Sequence, residues 1–109
     1  MSYSSFTVAV VIGVVVNAQP SLAAIDSVPK FDIERSCRLE LSGGPVGGET
    51  IASCKADEQR ARDELIPRWS SFSRADKTLC IKETQIDGSP SYVELETCLE
   101  MSPSGREKH

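Results

Sequence analysis

Four cysteines, Cys37, Cys54, Cys80 and Cys98, constrain this chain more than any other feature, because they lie 17, 26 and 18 residues apart. A four-thiolate metal site usually draws its ligands from close pairs about two to four residues apart. Redox and haem-attachment motifs need CxxC or CxxCH. Neither pattern occurs, so the cysteines argue against a metal or other cofactor. Two disulfides use all four thiols, and such bonds persist in an oxidising compartment.

The first residues supply that compartment. Met1 to Phe6 lead into the apolar run "TVAVVIGVVV", followed by the small and polar residues "NAQPSLAA". This is the layout of a secretory signal peptide, although the leading region carries no Lys or Arg. Ten apolar residues span about 15 Å as a helix, half of a bilayer core, which disfavours a membrane anchor. The expected signal peptide is residues 1–23. Cleavage after Ala23 places Ser21 and Ala23 at the small-residue positions, and cleavage after Ala24 is the close alternative. About 86 residues remain, enough for one domain of residues 24–101 with a disordered tail, 102–109. Few aromatic residues (Phe31, Trp69, Phe72, Tyr92) are left to fill a core, so covalent staples are expected.

Helical periodicity dominates the mature part. Phe31 or Ile33, Cys37 and Leu41 recur at helical intervals from about Pro29, which suits an opening position. "SGGPVGGE" breaks the chain as a flexible connector, since Gly48 is followed by Glu49 and Thr50 rather than the Lys-Ser/Thr of a phosphate loop. A long helix from Glu49 to about Phe72 aligns Ile51, Cys54, Ala61, Leu65, Trp69 and Phe72, with Pro67 ending its regular part near Ile66. "SRAD" caps a third helix at Ser73 carrying Ala75, Leu79 and Cys80 and fading near Thr84, and "IDGSP" is a turn. In "SYVELETCLEM", Ser91 and Glu94 have capping-box spacing, and Tyr92, Leu95, Cys98 and Leu99 form one face. The fold class is therefore all-α, a small disulfide-stapled bundle of about four short helices arranged as two hairpins.

Four cysteines allow three pairings, and the same periodicity favours one of them. Folding each hairpin antiparallel brings Cys37 level with Cys54 and Cys80 level with Cys98. A Cys54–Cys80 bridge is unfavourable, because Cys54 stands about 27 Å from the Phe72 end of its helix while Cys80 lies near that end.

One residue violates the pattern. Glu58 occupies the apolar stripe of the second helix, within about 40° of Cys54, Leu65 and Trp69. Arg62, four residues on, is placed for an ion pair, and Lys55, Arg35 or Arg38 can also reach over the carboxylate. The candidate role of Glu58 and Arg62 is thus a buried ion pair or an interaction site, with the structural role favoured over acid–base work.

No catalytic set is expected. The only histidine, His109, is terminal, so neither a Ser-His-Asp nor a Cys-His arrangement can form in the ordered part. Asp57 and Glu58 point about 100° apart and cannot converge on one bond. The net charge of −4 with interspersed signs disfavours nucleic acid and anionic membrane as partners.

The segments "FDIERSCR", "SCKADEQRARDELIPRWSSF", "ADKTLCIKET" and above all "SPSYVELETCLEM" resemble a group of small uncharacterised exported four-cysteine proteins of rhizobia and related alphaproteobacteria. The resemblance covers about Phe31 to Met101. It implies a small helical periplasmic protein and brings no activity, ligand or site. "CKADEQRARDELIPRW" also resembles a helix of lysozyme-inhibitor-type periplasmic proteins. The expectation is a non-enzymatic binding or interaction module with a periplasmic protein as partner. The alternative is a cell-wall-associated inhibitor.

Overall fold

The computed structural model describes residues 13, 25–44 and 47–107. The signal segment apart from Gly13, the Ala23 and Ala24 cleavage positions and His109 lie outside the described residues. The described residues are helical and contain no strand: α1 (Ile33–Glu40), a 3-10 turn (Leu41–Gly43), α2 (Ile51–Leu65), a 3-10 segment (Ile66–Ser71), α3 (Arg74–Gln85), α4 (Tyr92–Met101) and the short α5 (Pro103–Arg106). Among them, no helix is long and apolar enough to cross a membrane.

Each start is set by a small polar side chain that meets an otherwise unpaired N–H of the first turn. Asp32 accepts from the Arg35 amide, Thr50 from Ser53, Ser73 from Asp76 and Ser91 from Glu94. Thr50 and Ser53 cap each other reciprocally, a box that the sequence does not advertise because Ser replaces the usual Glu or Gln. Pro67 ends the regular part of α2 as expected. The chain tightens there into the 3-10 segment, which carries Trp69 into the core.

The core is one cluster: Ala61 and Leu65 from α2, Trp69 and Phe72 after it, Cys80 from α3, and Tyr92, Leu95 and Leu99 from α4. α2 packs along α4, α1 against α2, and α3 against α4. Disulfides staple both outer pairs, Cys37–Cys54 with Cα atoms 5.9 Å apart and Cys80–Cys98 at 5.7 Å. The pairing is the one that antiparallel hairpins require. In a chain-entropy account each loop contributes about 3 kcal/mol.

Four expectations need correction. Pro29 does not open a helix; it belongs to an extended strap that leads into α1. The Tyr92 hydroxyl donates to the Pro29 carbonyl at 2.6 Å and accepts from the Phe31 amide at 2.8 Å, and the Phe31 and Tyr92 rings stack with centroids 4.7 Å apart. The Trp69 indole donates to the Ile25 carbonyl at 2.7 Å. These bonds satisfy strap carbonyls that a helix would otherwise have paired internally.

Second, α3 is rotated from its expected face. Cys80 is buried as expected, but Leu79 is 54% exposed and Ala75 is exposed, and Lys77 and Thr84 are buried in their place. The Cys80 bridge fixes that rotation, and it lays the Lys77 stem on the core with its ammonium 5.3 Å from the Trp69 ring centroid. Third, the chain beyond Ser102 is ordered through Arg106 rather than a disordered tail. The Ser104 amide and hydroxyl both donate to Asp76, and the Ser104 hydroxyl accepts from the Ser73 amide. Gly105 is buried so closely on α4 that a Cβ there would meet the Leu99 carbonyl oxygen, with Glu100 Cα at 2.9 Å. Fourth, the capping box at Ser91 and Glu94 does not close, for a reason that lies in the site around Glu58.

Candidate functional site

Glu58 sits mid-way along α2 and is 4% exposed. The ion pair expected with Arg62 does not form. Arg62 turns outward, its nearest acidic partner being Asp63 at 3.9 Å, while Arg38 pairs with Glu34 on the surface at 2.9 Å. Among the described residues no basic side chain forms a salt bridge with Glu58.

Its partner is the start of another helix. Oε1 accepts from the Ser91 hydroxyl and Oε2 from the Tyr92 amide, each at 2.5 Å. Tyr92 is the first residue of α4, so its N–H is one of the donors that a helix leaves unpaired. A carboxylate there gains from the positive end of the helix dipole as well as from two charge-assisted hydrogen bonds. Burial is tolerated because both oxygens are bonded. This is capping delivered from 33 residues away in the chain.

Ser91 is the hub of the junction. Its hydroxyl donates to Glu58 and accepts from the Glu94 amide at 3.2 Å. Its own amide donates to the Thr84 hydroxyl oxygen at 2.9 Å. The Thr84 hydroxyl faces both the Ser91 carbonyl, at 3.2 Å, and the Glu94 carboxylate, at 3.1 Å. Thr84 therefore takes the place that Glu94 would fill in a closed capping box. Side chains from α2, α3 and α4 meet here, while Ser36 of α1 donates to the Pro90 carbonyl just before it, at 2.8 Å.

Outside this junction lies an open concavity of about 260 Å³ walled by Glu40, Glu49, Asp57, Glu58 and Glu94 beside Cys54. Partial burial, then the negative charges of Glu58, Glu94, Glu49 and Asp87, hold the Glu40 carboxyl above its ordinary value. The concavity repels anions. Among the described residues no group of three or more His, Cys, Asp or Glu is arranged to hold a metal ion.

Sequence reasoning identified Glu58, and it missed Ser91, Thr84 and the Tyr92 amide as its company. Ser91 was legible as a cap, but nothing local ties it to position 58. The fold and its bridges define a class, the small disulfide-stapled all-helical domain. No protein-family model, curated protein or solved structure matches the chain.

Proposed function

We propose that the chain is a small exported protein that acts in the periplasm as a non-enzymatic binding module, with another protein of that compartment as its partner. The two disulfides, which belong to an oxidising, extracytoplasmic environment, support export. So does Ile25, which is buried and bonded to Trp69 immediately after the expected cleavage positions. The binding reading is carried by one contrast. The buried carboxylate Glu58, with Ser91 and Thr84, is engaged in joining helices, whereas the stapled frame leaves Met101 at 65% and Leu79 at 54% exposure, together lining one open concavity.

N-terminal sequencing of the exported form tests the first half: a start at Ala24 or Ile25 supports it, and intact Met1 in the membrane fraction refutes it. Cross-linking of the tagged, oxidised chain in periplasmic extract tests the second. A protein captured saturably, and displaced by untagged chain, is the expected result. Absence of any saturable capture refutes the module. Inhibition of a peptidoglycan-cleaving enzyme by the same protein moves the reading to a cell-wall inhibitor.

A further inference from the structure

The two disulfides are unequally shielded. Cys37 is 0% and Cys54 3% exposed, and the carboxyl groups of Glu40, Glu49, Asp57 and Glu94 wall the concavity outside Cys54. Cys80 is also buried, at 1%. Cys98 is only half-buried, and the bridge it forms lines a different open concavity of about 330 Å³, together with Leu79, Met101 and Pro103. Of the four cysteines, Cys98 alone is thus partly open to solvent.

Its charge setting is equally specific. A Glu83 carboxylate oxygen stands 3.3 Å from Cys98 Sγ. A disulfide sulfur carries no proton, so this contact is a negative charge held against the sulfur and not a hydrogen bond. Both charged residues of the lining are acidic, Glu83 and Asp76. Asp76 is engaged by the Ser104 amide and hydroxyl, which leaves Glu83 as the exposed charge beside the bridge.

We propose that Cys98 Sγ is a thiol-exchange site, the atom at which a thiol or dithiol reductant opens the Cys80–Cys98 bridge, and that Glu83 selects thiols carrying a positive charge beside the sulfur. Access decides which sulfur an incoming thiolate attacks, and Cys98 is the accessible member. The thiolate bonds to Cys98 Sγ, the Cys98–Cys80 bond breaks, and its electron pair leaves on Cys80 Sγ, which takes a proton from water. A second thiolate then attacks the reductant sulfur of the mixed disulfide and frees Cys98. The bridge gains two electrons, and the reductant loses two as its own disulfide. The attacking species is an anion, so a carboxylate this close opposes it unless a cation accompanies the thiolate. Opening releases the staple between α3 and α4 while Cys37–Cys54 still ties α1 to α2.

The test uses the oxidised, folded chain, with cysteamine as the cationic probe and mercaptoethanesulfonate as the anionic one, acid quenching and peptide mapping by mass spectrometry. The Cys80–Cys98 bridge should open about tenfold faster than Cys37–Cys54, with the first probe adduct on Cys98. Per unit of thiolate at low salt, cysteamine should outpace mercaptoethanesulfonate by about tenfold, and in Glu83→Gln that ratio should fall to about a third of the parent's or less. In concentrated urea, where burial is gone, the two bridges should open at similar rates. Equal rates in the folded chain, a first adduct on Cys80, or a preference that survives unfolding overturns the site. An unchanged probe ratio in Glu83→Gln overturns the selection by Glu83.

Discussion

Replacing Glu58 by Leu separates a capping carboxylate from one that merely fills the apolar stripe. If Glu58 filled the stripe, Leu would be neutral or stabilising, since it removes a buried charge. The structure gives the opposite sign. Two charge-assisted bonds, to Ser91 and Tyr92, are worth about 1.5–3 kcal/mol each, and the helix-dipole contribution adds about 0.3–1 kcal/mol. Burying a leucine side chain recovers about 1.5–3 kcal/mol. Allowing for non-additivity, Glu58→Leu should lose about 2–4 kcal/mol, against a total of roughly 5–10 kcal/mol for a domain of this size. Glu58→Gln keeps one acceptor oxygen, so its loss should be smaller, about 1–2 kcal/mol.

Urea unfolding of the oxidised variants, followed by far-UV circular dichroism, reads these differences directly. Amide exchange at Tyr92 adds a local measure: in Glu58→Leu that N–H should lose protection more than the amides of mid-α2. A Glu58→Leu protein that unfolds at the parent's urea midpoint or above it refutes the capping role and returns this face of α2 to the interaction surface.

Tyr92→Phe keeps the ring on Phe31 and removes both bonds to the strap; it should lose about 1–2 kcal/mol and raise exchange at the Phe31 amide. Gly105→Ala drives a methyl group into the backbone of α4, and should lose about 1–3 kcal/mol as the α5 turn lifts away. The same variant should release Asp76, whose carboxyl is held below its ordinary value chiefly by the Ser104 hydroxyl and then the Ser104 amide. The stability that Asp76 gives is present above its unfolded value and lost as pH falls through the lower folded one, so the acid limb of unfolding should become shallower in Gly105→Ala. Removing either disulfide as a Ser pair should lose about 3 kcal/mol by loop closure. The Cys80–Cys98 pair should lose more, because Cys80 also belongs to the central cluster.

What was legible in the chain was what depends on near neighbours. Helix starts at Ser73 and Ser91, the stop near Pro67 and the two staples follow from spacings within about 20 residues, the range over which periodicity and capping chemistry operate. What was not legible is every choice in which a polar group had two suitable partners. Position 62 offers Glu58 the favoured local ion pair, yet a surface ion pair is worth at most about 1 kcal/mol. An unpaired buried N–H at a helix start costs about 1–3 kcal/mol, and a local box would bond only the Ser91 and Glu94 amides, so the Tyr92 amide is met from outside α4, by Glu58. Thr84 then occupies the Ser91 amide, and Glu94 is left to accept from Thr84. The same comparison governs the strap: Pro29 favours a helix opening by local preference, but its carbonyl and the Phe31 amide both meet the Tyr92 hydroxyl inside the core. Tertiary partners win where they remove a buried unpaired group. The sequence therefore exposes Glu58 as an anomaly without revealing its company, 33 and 34 residues away.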